Sequence, residues 1–327
     1  MTANSDDTSE KKGRTRRRSR KYIPHLAEFY FRPDHDWTTG EARKLFEKKT
    51  HLMGGMALDT VLFDECVKGM QQLPESAIDL VIADPPFGIN FNGKSGVYNR
   101  DESFVVEGYT EAKGSYEDFT VGWINELPRV MKQHASAYIF SGWNNLEFVL
   151  RGAREAGLVL LNHIIWHYPF GVFTKKRFVT SHYHVLLFAK DPREYFFNKF
   201  EHYPEDVWRI KRQYRAGQDK NSTKLPLDVV SRCIDFSSRP GDVVLDPFMG
   251  NGTTAVAAKG NWRHFVGFEV NQQLKPIIDS ETGKIEPGQL YRPYTKRLPS
   301  IEELSALYPR AYREYSKAEK AGKGRLD

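Results

Sequence analysis

Two short segments of this chain carry residue types and spacings that could do chemistry. The first is Asp84-Pro85-Pro86-Phe87, which closes the apolar run Ala77-Ile78-Asp79-Leu80-Val81-Ile82-Ala83. A strand covered on both faces reads as a near-continuous hydrophobic run, so a buried parallel strand is expected here. The two prolines stop it, hold φ at roughly −65° and remove two backbone donors. The resulting turn offers a carboxylate, two free carbonyls and an aromatic face. That group suits a flat molecule bearing an amino group, such as a nucleobase, and ligands of open α/β sheets bind at the carboxyl ends of the strands.

The second segment is Val243-Val244-Leu245-Asp246-Pro247-Phe248-Met249-Gly250-Asn251-Gly252-Thr253-Thr254, which reads as a strand, a glycine turn and a helix start. Gly250 and Gly252 allow close backbone approach, and Thr253 or Thr254 can cap a helix whose amino end favours negative charge. Glu269 ends the following strand, Phe265-Val266-Gly267-Phe268-Glu269, where an acid commonly takes ribose hydroxyls. The pair predicts a nucleoside-binding βαβ unit. The dinucleotide pattern G-x-G-x-x-G is incomplete, because position 255 is Ala, and this weakens a nicotinamide reading. Just upstream, Asn221-Ser222-Thr223-Lys224-Leu225-Pro226 opens a helix; Lys224 could meet an amino-acid carboxylate, or the segment could be a plain helix cap.

Alternating elements are expected to hold these turns. Strands are read at 59–64, 77–84, 136–141, 158–168, 183–190, 242–247 and 264–270, and helices near 40–48 and at 65–73, 116–133, 144–156, 226–238 and 252–260. Such alternation argues for a mainly parallel sheet with helices on both faces. No helical pattern separates 158–168 from 183–190, so that pair is expected to be an antiparallel hairpin at one edge. Residues 88–115 are polar and glycine-rich, and so long a segment directly after Asp84 is expected to be a mobile lid.

The 327 residues can bury a substantial core. No apolar run reaches the roughly 18 residues of a membrane span, and with two cysteines, Cys66 and Cys233, no disulfide framework is suggested. A cytoplasmic setting fits. The net charge of +6 is uneven: residues 1–22 carry +5, residues 291–327 carry +4 and the middle is mildly acidic. Residues 1–22 are expected to be a disordered basic arm, 23–56 an irregular lead-in, 57–275 the catalytic and cofactor-binding domain and 276–327 a basic extension. Basic ends on an acidic body fit mobile arms on nucleic acid, or merely solvated tails. His163, His167, His182 and His184 fall on the expected hairpin. Neither a cysteine pair nor H-E-x-x-H spacing accompanies them, so no metal site is assigned.

The segments Asp84-Pro85-Pro86-Phe87 and Asp246-Pro247-Phe248-Met249-Gly250-Asn251-Gly252-Thr253 together resemble the catalytic (D/N/S)-P-P-(Y/F/W) and cofactor F-x-G-x-G motifs of the S-adenosylmethionine-dependent DNA amino-methyltransferases. The catalytic motif comes first, by 162 residues, as in the circularly permuted β group of that family. Thr223 and Pro226 agree with that group's H-P-T-x-K-P element, with Asn and Ser at its first two positions and Lys224 one position ahead of its Lys. The resemblance covers roughly residues 57–275. It implies a Rossmann-like, seven-stranded, mostly parallel α/β sheet with an antiparallel edge hairpin, and S-adenosyl-L-methionine as cofactor.

On this resemblance Asp84, Pro85, Pro86 and Phe87 are catalytic. Asp64, Thr223, Lys224, Asp246, Phe248, Gly250, Gly252, Thr253 and Glu269 hold the cofactor. Arg209, Lys211, Arg212 and Arg215, with Lys175, Lys176 and Arg177, are assigned to DNA contact. The substrate would be double-stranded DNA, the target a flipped-out base and the environment the nucleoid. A cognate restriction endonuclease would be a possible partner, and the enzyme would be a monomer or homodimer. Asp at the first motif position points to adenine-N6, with cytosine-N4 as the alternative. RNA or protein amide methylation, a non-catalytic nucleic-acid-binding module and a nicotinamide oxidoreductase are further readings.

Overall fold

The computed structural model describes residues 35–52, 55–86, 116–169, 174–201, 204–211 and 224–297, with single positions between 305 and 317. Residues 31–298 form one unit; residues 1–30 and 299–327 form another, helical at its described positions. The elements in chain order are α1 (Thr39–Lys48), β1 (Thr60–Leu62), α2 (Cys66–Gln72), β2 (Ile78–Ala83), α3 (Tyr116–Val130), β3 (Met131–Ser141), α4 (Leu146–Glu155), β4 (Val159–His167), β5 (His182–Ala189), β6 (Val207–Arg209), α5 (Leu227–Ser237), β7 (Val243–Asp246), α6 (Thr253–Gly260), β8 (His264–Phe268) and α7 (Lys275–Gly283).

The strands form one sheet in the order β1-β8-β7-β2-β3-β5-β4-β6. β1, β8, β7, β2 and β3 are parallel, and β5 runs antiparallel to both β3 and β4. Every residue of β2, β7 and β8 is buried, as their near-continuous apolar sequences favour, and the polar exceptions Asp79, Asp246 and His264 are buried with hydrogen-bond partners. One face packs against α2, α3 and α4 through Met70, Trp123, Ile124, Leu127, Val149 and Ala153. The other packs against α5, α6 and α7 through Val230, Cys233, Ile234, Ala257, Ala258 and Ile278.

Two features depart from the sequence reading. The sheet has eight strands rather than seven, because Val207-Trp208-Arg209 pairs in parallel with β4 and makes the hairpin the last-but-one layer. Its burial alternates, with Trp208 inward beneath the Arg232 guanidinium. Three residues in a basic stretch are too few for periodicity to reveal. The second departure is at Met131-Lys132-Gln133, expected as the end of a helix. The helix stops at Val130, and β3 begins at once with an irregular register against β2. The cause is Asp79. Its buried carboxylate accepts from Lys132 Nζ at 2.7 Å and faces His134 Nε2 at 3.0 Å, so these polar side chains find partners on a strand.

The lead-in and the carboxyl-terminal side both contribute to this unit. A capping box at Thr38 and Glu41 starts α1, which buries Ala42, while Ile278 of α7 packs beside Gly252.

Candidate active site

β2 and β7 are neighbours, with Leu80 opposite Val244 and Val81 opposite Leu245. Three residues past each of the latter stand Asp84 and Phe248. The two turns singled out in the sequence, separated by most of the domain along the chain, therefore emerge side by side at one end of the sheet. Asp84 is half-buried and Pro85 is buried. Phe87, and the 88–115 segment expected to be a lid, lie outside the described residues, as do Thr223, Arg212, Arg215 and the arm at 1–22.

The glycine turn is built for a close neighbour. Gly250 has φ +52° and Gly252 φ +83°, the left-handed region that side chains disfavour. Gly252 precedes α6, with Thr253 and Thr254 buried in its first turn. Asp246 accepts from the Phe248 N–H at 2.9 Å and from the Thr254 side chain, which keeps the loop tight. Burial pushes Asp246 up to about 7, against those hydrogen bonds, with the Glu269 charge adding to the rise. Phe248 is wedged against Phe119 and Trp123 of α3, at ring distances of 5.8 and 5.2 Å.

Glu269 stands one residue beyond β8. Its Oε2 accepts from the Gly250 N–H at 2.8 Å and its Oε1 from the Asn271 N–H at 2.8 Å. Burial raises its pKa above the ordinary carboxylate range, opposed by those N–H donors. The Glu269 N–H in turn reaches the Leu62 carbonyl of β1, so the chain from Leu62 to Asp64 runs alongside Glu269. Asp64 itself accepts from the Glu65 N–H at 2.7 Å, at the start of α2. Lys275 lies over the Phe63 ring at 5.7 Å.

This donor set selects among ligands. Asp64, Glu269 and Asp84 gather carboxylates at one end of the sheet, where a pyrophosphate would meet like charge. Carboxylates instead suit hydroxyls, amines and a cationic centre. The residues present fit a nucleoside carrying a positive group and do not favour a dinucleotide, in keeping with Ala255 at the third glycine position.

Sequence reasoning missed Tyr116. Burial first, with the Asp84 charge adding to it, pushes its phenol up to about 12 against hydrogen bonds with Thr120 and Asn145. The signal was present as Tyr116, Phe119 and Trp123, spaced three and four apart on one helix face. Lys224 is engaged with α7, its Nζ donating to Glu281 at 3.0 Å. Lys175, Lys176, Arg177 and Lys211 are exposed; Arg209 is also exposed and pairs with Glu205 at 3.1 Å. On the hairpin, His163 Nε2 and His184 Nδ1 approach to 2.7 Å, and burial with the two neighbouring histidines pushes His184 down to about 4.

A family model described as DNA methylase, of the N6/N4 type, matches residues 78–280, which span both turns. The chain belongs to the N6/N4 DNA methylase family. This methylase is 28% identical over 253 residues to the type II methyltransferase M.HinfI of Haemophilus influenzae, covering 71% of this chain and 70% of that one. Its fold is similar to the crystal structure of an M1.HpyAVI–SAM complex, with TM-score 0.52 and 22% identity over 68% of this chain and 98% of that one. The PvuII DNA methyltransferase, described as cytosine-N4-specific, has the same fold at TM-score 0.53 and 15% identity, over 71% and 95% of the two chains. Among the described residues no helix is long and apolar enough to cross a membrane.

Proposed function

We propose that this DNA methylase transfers a methyl group from S-adenosyl-L-methionine to the exocyclic N6 amine of adenine in double-stranded DNA. The observation that carries the reading is the adjacency of the Asp84 turn on β2 and the Gly250 turn on β7. One turn suits an amino-bearing base and the other a cationic nucleoside, and their neighbouring strands bring the two reactants together. The sheet order supports a permuted methyltransferase arrangement, with the cofactor half following the catalytic half along the chain.

An exocyclic amine is a poor nucleophile, because its lone pair is delocalised into the ring. Hydrogen bonds from the amine to the Asp84 carboxylate and the Pro85 carbonyl would draw that pair out of the ring and orient it. Phe87 would stack on the base. Glu269 would exchange the Gly250 N–H for ribose hydroxyls, and Phe248 and Gly250 would line the methionine portion, with Asp64 towards the adenine. When bound, S-adenosyl-L-methionine would supply an electrophilic methyl group and keep the electron pair of its broken S–C bond as a thioether, while the amine held by Asp84 and Pro85 would give up its proton to water. Positioning and fixed dipoles would carry most of the rate. The base must leave the duplex for this contact, at a cost of a few kcal/mol.

Cytosine-N4 is the second reading, supported by the fold shared with a methyltransferase described as cytosine-N4-specific. Incubation of unmethylated bacterial DNA with the protein and isotope-labelled S-adenosyl-L-methionine, followed by nucleoside mass spectrometry, separates the two. Labelled N6-methyladenine is expected; labelled N4-methylcytosine alone would replace it. A companion restriction endonuclease of the same site specificity is the partner this reading favours, by the likeness to a type II methyltransferase.

A further inference from the structure

The exposed hydrophobic side chains among the described residues include two aromatics, Trp143 at 67% and Phe178 at 98% exposure. Both follow strands at the end of the sheet that carries Asp84. Trp143 lies two residues past β3, which pairs directly with β2. Phe178 lies on the connection from the end of β4 to the start of β5, and β5 pairs with β3 through Ser141 and His184. Two strand spacings separate β5 from β2, about 10 Å, within the roughly 12 Å width of a DNA major groove. Phe178 is preceded by exposed Lys175, Lys176 and Arg177, in a turn that Thr174 Oγ1 closes on the Arg177 carbonyl.

A phenyl ring left almost wholly in water gains nothing for the fold. The three cations beside it match a polyanion rather than an apolar protein surface. Proteins that open duplex DNA insert apolar side chains into the base stack while neighbouring cations hold phosphates. We propose that Phe178 is the wedge that enters the duplex and fills the gap left when the target base is flipped towards Asp84, with Lys175, Lys176 and Arg177 seating the flanking phosphates. The inference rests on the methylation reading above and deepens it. Phe178 is a positioning residue, since it meets the stack and not the reacting amine.

The test uses the full-length chain and a duplex carrying the site that the wild-type protein methylates in genomic DNA. Two substrates are compared, one fully paired and one with an abasic residue opposite the target base. Phe178→Ala should slow methylation of the paired duplex by about tenfold or more, while the abasic duplex, whose target is already unpaired, recovers to within about threefold of wild type. Phe178→Trp should retain activity on both, and thermal unfolding of both variants should match wild type. Equal losses on the two substrates, or no loss on either, would overturn the wedge while leaving methylation standing. Wild-type protein that methylates no DNA would remove the methylation reading, and the wedge with it.

Discussion

The Asp79 carboxylate accepts the backbone N–H of Val243 at 2.9 Å, tying the amino end of β2 to the amino end of β7. Five residues further along each strand stand Asp84 and Phe248, one in each half of the site. The same carboxylate takes Lys132, faces His134 and lies 3.7 Å from Lys49. Burial alone would raise its pKa, but the hydrogen bonds from His134 and Lys132 and the Lys49 charge bring it down to about 2. A side chain remote from both turns thus joins the two strands that carry them.

Asp79→Ala is therefore expected to lower stability by about 3 kcal/mol, since removing one partner of a buried ion pair leaves the others uncompensated. Urea unfolding followed by circular dichroism measures it. A loss below about 1 kcal/mol would show that the backbone ladder holds β2 and β7 without this residue.

Asp84→Ala should abolish methyl incorporation into DNA while changing cofactor affinity by less than about threefold, because the residue is assigned to the base and not to the nucleoside. Calorimetry and labelled-methyl transfer read the two quantities separately. Retained activity in this variant would refute the assigned role.

Glu269→Ala should have the opposite signature. It removes the acceptor assigned to the ribose and frees the Gly250 N–H, so cofactor affinity should fall by about tenfold or more, worth roughly 1.4 kcal/mol. DNA binding measured by fluorescence anisotropy should be unaffected.

Asp246 predicts a pH dependence. Its folded pKa, raised to about 7, lies above the ordinary aspartate value of about 3.9, so the native state holds a proton that the unfolded chain releases. Stability from this group is complete below about pH 4 and is lost as pH rises towards 7, at up to roughly 1.4 kcal/mol per pH unit. Asp246→Asn should flatten that slope. Urea unfolding at pH 5 and pH 7 should show a larger drop between them for wild type than for the variant; parallel curves would contradict the assignment.

The local elements were legible in the sequence because each is encoded within a few residues. The near-continuous apolar run ended by two prolines specified β2, and the glycine turn with its helix start specified β7 and α6. The β3 start was misread as helix over 131–133 because Lys132 looks like a solvated polar position until Asp79, 53 residues earlier, supplies its partner. β6 was missed because its stability comes from pairing with β4 and from Arg232 over Trp208, both remote in sequence.

By itself the sequence determined which turns hold the candidate groups: a carboxylate between a strand end and two prolines, a glycine loop before a helix start, and an acid closing the next strand. Only the tertiary structure decided that these meet. Strand adjacency, the burial that lifts Asp246, the packing of Phe248 on Phe119 and Trp123 and the exposure of Phe178 all depend on distances between segments far apart in the chain. Periodicity and turn chemistry describe a few residues at a time and contain no such distances; packing supplies them.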